Sequence, residues 1–152
     1  MTQFSNGTPV ADALSISGLS TLAAGAYSAP SALLDNTPSG PRGFSFLSGS
    51  LRLVLSPALT AASGSPYLTA YFLQARDGSS VANPPGAAAI APPANAPQCI
   101  AQLPSGGAFG IVDFNPIELD PMLYAIQLYN ASGVAFSGTV TATLYRWLVW
   151  GV

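Results

Sequence analysis

The sequence contains no histidine, no lysine and a single cysteine, Cys99. Without histidine the chain can form neither a serine–histidine–acid triad nor a histidine zinc site. One cysteine allows no intrachain disulfide, and no imidazole is present to activate it as a nucleophile. A phosphate-binding loop that ends in lysine is excluded as well. We therefore predict that the protein is not an enzyme and has no catalytic residue, cofactor or metal, with Cys99 as a small buried or half-buried apolar residue.

Charge is also scarce. Charged residues make up 7% of the chain, against about 25% in typical soluble domains. The formal net charge is −2, which gives no attraction for phosphate backbones, so nucleic acid is not a predicted partner. A surface with so few charges protects poorly against self-association. This composition indicates a protein that works packed against neighbouring polypeptides.

Targeting signals are missing from the sequence. The first residues, MTQFSNGTPVADA, lack the basic region and apolar run of a signal peptide. No stretch reaches the roughly 18 apolar residues of a membrane span. We expect a protein made in the cytoplasm, with no membrane partner.

Glycine (15 residues) and proline (14 residues) interrupt the chain every few positions, and helix signals are nearly absent. Short apolar runs between turn residues are typical of an antiparallel β-sandwich. We predict one all-β domain over residues 1–152. The predicted strands are 13–22, 43–56 with a bulge or bend at Gly49, 67–76, 108–114, 122–129 and 134–150. The strand at 67–76 is apolar on both faces, as in a central strand. The last two strands are predicted to form a hairpin around residues 130–133.

One long segment, residues 78–107, carries no charge and has five prolines between Pro84 and Pro97. Proline cannot donate to a β-ladder, so this segment is predicted to be a proline- and alanine-rich excursion outside the sheets. It would lie along the domain or reach a neighbour. Residues 1–12 are predicted to extend in the same way as an N-terminal arm.

The last strand, TVTATLYRWLVW, is apolar or aromatic on both of its faces in its second half. A sheet face buries only one of the two sets, so either the proline-rich excursion or another chain must cover the second set. Aromatic residues and arginine are enriched at the cores of protein interfaces. Four residues of this strand are therefore interface candidates: Tyr145, Arg146, Trp147 and Trp150.

Arg146 lies on the apolar face of this strand, where its neighbours are Leu144 and Leu148. One interpretation is that its stem snorkels and its guanidinium stacks on an aromatic ring such as Tyr124 or Tyr129. The other is a buried ion pair with an acid of an adjacent subunit.

The acidic stretch DFNPIELD contains Asp113, Glu118 and Asp120. These carboxylates have the oxygen chemistry of a calcium site, although their spacing matches no calcium loop. Asp113 and Glu118 could also be nominated as the carboxylates of a glycosidase. The alternative is that Asn115-Pro116 and Asp120-Pro121 start turns at strand ends.

Two stretches resemble a known family. LSTLAAGAYSAPSALLDNTPSG (residues 19–40), with Asp35-Asn36 inside it, and SPYLTAYFLQARDGSS (residues 65–80), with Asp77-Gly78 after a hydrophobic strand, resemble capsid decoration or cement proteins of tailed bacteriophages. The segment 82–97 departs from that pattern. The resemblance implies a jelly-roll-like β-sandwich with no catalytic residues. It also implies a virion protein on the capsid exterior that forms a dimer or trimer and bridges subunits of the major capsid protein.

Two alternatives to this function stay open. The chain could be a tail, baseplate or fibre-associated structural module. It could also be a carbohydrate-binding sandwich whose exposed tyrosine and tryptophan rings stack on sugars.

Overall fold

The computed structural model describes residues 4–6, 9–37, 46–75, 90–94, 96–147 and 149–151. Within them lie ten β-strands and one turn of 3-10 helix at Leu19–Thr21. The strands are β1 (Phe4–Asn6), β2 (Val10–Leu14), β3 (Leu34–Asp35), β4 (Ser48–Thr60), β5 (Tyr67–Gln74), β6 (Gln98–Gln102), β7 (Ala108–Glu118), β8 (Leu123–Ala131), β9 (Thr139–Trp147) and β10 (Val149–Gly151). The prediction of an all-β protein is confirmed.

The strands β2 to β9 form two antiparallel four-stranded sheets. Sheet I has the order β2-β9-β4-β7, sheet II has the order β3-β8-β5-β6, and β1 pairs with β10. The first four of these strands pair with the last four in reverse order, as β2 with β9, β3 with β8, β4 with β7 and β5 with β6. This wrapping of one long antiparallel hairpin into two sheets is the jelly-roll arrangement, so the predicted jelly-roll-like sandwich is confirmed.

The core lies between the inner faces of the two sheets. Every second residue of a strand contributes its side chain to this core, because successive residues of a strand point to opposite faces. Its fully buried members include Leu51 and Leu53 of β4, Leu68 of β5, Phe114 of β7, Ile126 of β8 and Leu144 of β9.

Two finer predictions hold as well. The pairing of β4 with β7 shifts register between Gly49 and Leu51, which is the irregularity predicted at Gly49. Strand β5 is buried on both faces, as its apolar pattern predicted, because Leu68 and Ala70 belong to the core while Thr69 and Leu73 are buried on the other side.

Two segments that were predicted to lie outside the sheets each contain strand residues, so these predictions were wrong in part. The excursion 78–107 contains β6, which pairs with β5 at the edge of sheet II. The five residues of this strand, QCIAQ, contain no proline, so nothing prevents them from joining the ladder. Residues 76–89 and 95 lie outside the described residues. The arm predicted for residues 1–12 ends in β2, which begins at Val10 and pairs with β9.

The predicted hairpin of the last two strands was also wrong, because β8 lies in sheet II and β9 in sheet I. The side chain of Asn130 fixes the exit from β8: it accepts from the Ser132 amide and donates to the Leu22 and Val134 carbonyls at 3.1 and 2.8 Å. The chain then crosses to the other sheet between Gly133 and Gly138, both with positive φ.

Two local assignments need correction too. The strand predicted at 13–22 stops at Leu14 and is followed by the 3-10 turn, and Ile16, Leu19 and Leu22 are buried. Asn115-Pro116 starts no turn. It lies inside β7, an edge strand, where proline removes no essential ladder hydrogen bond.

Candidate interface

Strand β9 presents two different faces. Ala142, Leu144 and Arg146 point into the sandwich and are buried. Thr141 on the opposite face is exposed, and Tyr145 and Trp147 are half-buried there. The alternation predicted from the sequence is therefore the alternation of the structure, and the two aromatic candidates lie on the outer surface of sheet I.

We call this outer surface face I, and the register of sheet I defines it. Thr141 of β9, Val54 of β4 and Ile111 of β7 form one row across it. Thr143, Arg52 and Asp113 form the next row. Val54 is 38% exposed and Ile111 is 62% exposed. Face I is therefore a broad surface of threonine and aliphatic side chains, bordered by Tyr145.

A salt bridge lies in the middle of face I. The Arg52 guanidinium donates to both carboxylate oxygens of Asp113, at 2.7 and 3.0 Å. The hydrogen bond to Asp113 and its negative charge raise the pKa of Arg52. The same guanidinium lies 5.9 Å from the ring centroid of Tyr145. The two opposite charges compensate each other, which leaves this part of the face close to neutral.

Arg146 is buried inside its own chain, so the prediction that it lies on an exposed interface is wrong. It is 3% exposed, and its guanidinium pairs with Asp12 of the same chain, at 2.8 Å from Nη2 to Oδ2. It stacks 4.5 Å from the centroid of Phe46 and donates to the Asp35 carbonyl at 3.3 Å. Stacking on an aromatic ring is thus correct in kind, but the ring is neither Tyr124 nor Tyr129, and the acid belongs to this chain.

The sequence carried a signal for this pair. Asp12 has the same phase as Val10 and Leu14 on β2, and Val10 lies directly opposite Arg146. An acid on the inward phase of one strand beside an arginine on the inward phase of another predicts a buried ion pair. Nearby, hydrogen bonds from Thr37 hold the pKa of Asp35 below its usual value.

Trp150, the fourth interface candidate, belongs to β10, which pairs with β1. Its side chain lies outside the part of the chain that the structure describes.

The outer surface of sheet II, which we call face II, carries a cluster of tyrosines that the sequence analysis missed. Tyr27 lies beside Tyr129, with ring centroids 4.7 Å apart, and its ring centroid is 6.1 Å from that of Tyr71. Tyr67 adds a ring centroid 6.4 Å from that of Tyr129. Burial raises the pKa of Tyr71 above its usual value, and the neighbouring Tyr27 raises it further. Alternation along β5 and β8 could have placed three of these rings on one face.

Much of face II is covered by the chain itself. Gln127 is 0% exposed and donates 2.8 Å hydrogen bonds to the carbonyls of Ser28 and Ile90. Ala96 packs on a small second core that contains Leu73, and the Phe72 amide donates to the Pro97 carbonyl. The described part of the proline-rich segment therefore covers sheet II, whereas the sequence analysis offered it as a cover for the last strand.

The acidic stretch does not converge on a metal centre in the described residues, where no group of three or more potential ligands lies together. Asp113 is engaged by Arg52, and Asp120 accepts a 2.6 Å hydrogen bond from Gln74. Cys99 is half-buried in β6, and burial raises the pKa of its thiol, which disfavours the nucleophilic thiolate.

The fold and these surfaces define a jelly-roll β-sandwich with one largely self-covered face and one open face. Comparisons of the chain with protein-family models, with curated proteins and with solved structures found no match. Among the described residues, no helix is long and apolar enough to cross a membrane.

Proposed function

We propose that the chain is a structural virion protein of a tailed bacteriophage that decorates or cements the capsid. It would sit on the capsid exterior as a dimer or trimer and bridge subunits of the major capsid protein. A jelly roll hosts viral capsid proteins and also lectins, so the fold alone does not decide between functions.

The observation that carries the proposal is the composition of face I. Ile111 and Val54 are exposed there, Tyr145 and Trp147 are half-buried, and the Arg52–Asp113 charges compensate each other. Interface cores are depleted in charged residues and enriched in aromatic residues and arginine. Each contact with a rigid shell can be weak, because many copies bind to one particle and each bound copy stabilises the assembled state.

The test is to replace Tyr145 or Trp147 by alanine and compare binding to preformed shells with the thermal melting of the isolated protein. We expect at least one variant to bind about tenfold more weakly, as truncation of an aromatic interface residue commonly does. Its melting temperature should stay close to that of the wild type. Ile100→Ala, at an exposed position of sheet II outside face I, is the control and should bind normally. Equal losses in binding and melting would make the aromatic residue an ordinary part of the fold.

A tail, baseplate or fibre-associated module would use the same surface chemistry and differ in copy number. Staining of purified particles should show on the order of hundreds of copies for a decoration protein and at most tens for a tail component. Absence of the chain from purified virions would contradict both assignments.

The tyrosine cluster of face II favours a second candidate, a carbohydrate-binding sandwich. Aromatic rings can stack on sugar rings, and the four half-buried tyrosines lie close together. A glycan array tests this function. Sugar binding that is lost in Trp147→Ala would assign it to face I, and loss in Tyr27→Ala would assign it to face II.

A further inference from the structure

A small cavity of about 190 Å³ opens where β7 ends, next to sheet II. Part of its wall is apolar: Phe72 and Tyr124 contribute rings whose centroids lie 6.2 Å apart, and Leu119 and Met122 contribute apolar side chains. The exposed residues Glu118 and Asp120 also line it. The cavity therefore combines a buried apolar wall with two carboxylates open to solvent.

The backbone beside the cavity is held in place by one buried amide. The side chain of Asn36 donates to the Asp120 carbonyl and to the Phe46 carbonyl, both at 2.8 Å. Its oxygen accepts from the Phe46 amide at 2.8 Å, and its own backbone amide donates to the Met122 carbonyl. The two carboxylates thus project from a fixed backbone, which a specific binding site requires.

The charges of the cavity are not compensated by the described arginines. Arg52 pairs with Asp113, and Arg146 pairs with Asp12. Asp120 accepts one neutral hydrogen bond, from Gln74 at 2.6 Å. Two carboxylates beside an apolar cavity favour a ligand that carries positive charge at the end of an apolar stem.

Tyr124 adds an independent observation. It is 2% exposed, and burial raises its pKa, while the charge of the neighbouring Arg146 and a hydrogen-bond contact with it lower that pKa. Arginine can only donate, so this contact leaves the O–H donor of Tyr124 without an acceptor of ordinary geometry among the described residues. A buried donor of this kind commonly marks a place that a water molecule or ligand fills. Both aromatic faces can also attract a cation.

We infer that this cavity binds a primary ammonium group on an alkyl stem, and that its occupant is a lysine side chain of a partner protein. This occupant rests on the proposed assembly function, whereas the ligand class rests on the cavity alone. The butyl stem would contact Phe72, Leu119 and Met122, and the ammonium would donate to Glu118 and Asp120, since it carries three hydrogen-bond donors. The chain has no lysine of its own, so a second copy cannot supply this group from a side chain.

The ligand class can be tested with protein labelled by ¹³C at its methionine methyl groups. The chain has two methionines, so the Met122 signal is readily assigned by substitution to leucine. We expect n-butylammonium to shift this signal saturably and n-butanol, its neutral analogue, to have little effect. The double variant Glu118→Gln with Asp120→Asn should weaken binding about tenfold or more, which corresponds to about 1.4 kcal/mol.

The matched control is Asp113→Asn, which removes one negative charge from the Arg52 pair outside the cavity. It should bind n-butylammonium as the wild type does, and melting curves should show that all variants fold. Equal shifts with butanol, no saturable shift, or binding that survives loss of both carboxylates would overturn the inference.

The occupant is tested with shells whose lysines have been acetylated. Acetylation should lower binding of the wild type to the level of the double variant, and the double variant should lose nothing further. If wild-type protein binds untreated shells and acetylation changes nothing, the lysine occupant is wrong. If wild-type protein binds no shells at all, the proposed function fails, and the n-butylammonium titration still decides the ligand class.

Discussion

The two outer faces of the sandwich differ in whether residues of the same chain cover them. Residues of the same chain cover part of face II: buried Gln127 donates to the Ser28 and Ile90 carbonyls, and Ala96 packs on the cluster that contains Leu73. Face I leaves Val54 and Ile111 exposed and Tyr145 half-buried. Both are sheet surfaces of low charge, so the difference comes from chain connectivity. A β-sandwich needs one buried face per sheet to fold, and this chain buries a second one in sheet II.

The comparison predicts that truncation on face II costs stability and truncation on face I does not. Gln127→Ala should lower the free energy of unfolding by about 3 kcal/mol, because it removes two hydrogen bonds, to the Ser28 and Ile90 carbonyls, and opens a cavity. Thr141→Ala, exposed in a central strand of face I, should change it by less than about 0.5 kcal/mol. Urea denaturation measures both values.

A small effect of Gln127→Ala on the free energy of unfolding would contradict this difference between the faces, because the cover of face II would then contribute little to stability. A Gln127→Glu variant sharpens the test. It keeps the shape of the side chain but offers acceptors in place of the amide donor, so it should be at least as destabilising as alanine near neutral pH.

The pattern of residues predicted which surfaces are apolar better than it predicted what covers them. The double-faced burial of β5 follows from its sequence, YLTAYFLQ, because a strand apolar on both faces must be covered on both. The cover itself involves contacts of Gln127 with Ser28 and Ile90, which are 99 and 37 residues away in the chain. Alternation fixes the side of a sheet on which a residue lies and carries no information on distant partners.

The same limit explains the two larger errors. The turn around residues 130–133 was recognised, but a local turn motif does not specify whether the next strand stays in the same sheet or crosses to the other. The alternation of the strand identified Arg146 as a charged residue on an apolar face. It did not identify the partner Asp12, which lies 134 residues away. The aromatic candidates Tyr145 and Trp147 were placed correctly on the outer face because their position depends on alternation alone.

A second prediction concerns the inner face of sheet II, where Tyr124 lies. Burial raises the pKa of Tyr124 from the ordinary tyrosine value of 10.0 to about 12. Since the unfolded state loses this proton more easily, the stability contributed by the neutral phenol is complete below pH 10 and is lost as the pH rises from 10 towards 12. The loss should amount to about 2 kcal/mol, given 1.36 kcal/mol per pKa unit and incomplete burial.

Tyr124→Phe isolates this effect. The phenylalanine variant keeps the ring contact with Phe72 and removes the hydroxyl, which has no hydrogen bond of ordinary geometry among the described residues. Near neutral pH it should be as stable as the wild type or slightly more stable. Between pH 10 and 12 its free energy of unfolding should fall less than that of the wild type. Parallel curves for the two proteins would show that the Tyr124 hydroxyl is solvated in the folded state.

The smallest effect on stability is expected for the exposed ion pair of face I. Arg52→Gln removes the salt bridge with Asp113, but both side chains are open to water, so the denaturation midpoint should stay unchanged at low and high salt. Shell binding should nevertheless weaken, because Asp113 would then place an uncompensated charge on a surface that becomes desolvated on assembly. Asp113→Asn with Arg52→Gln, which removes both charges, should restore part of that binding. A loss of stability comparable to that of Gln127→Ala would mean that face I belongs to the fold and is not reserved for a neighbour, and the difference between the two faces would disappear.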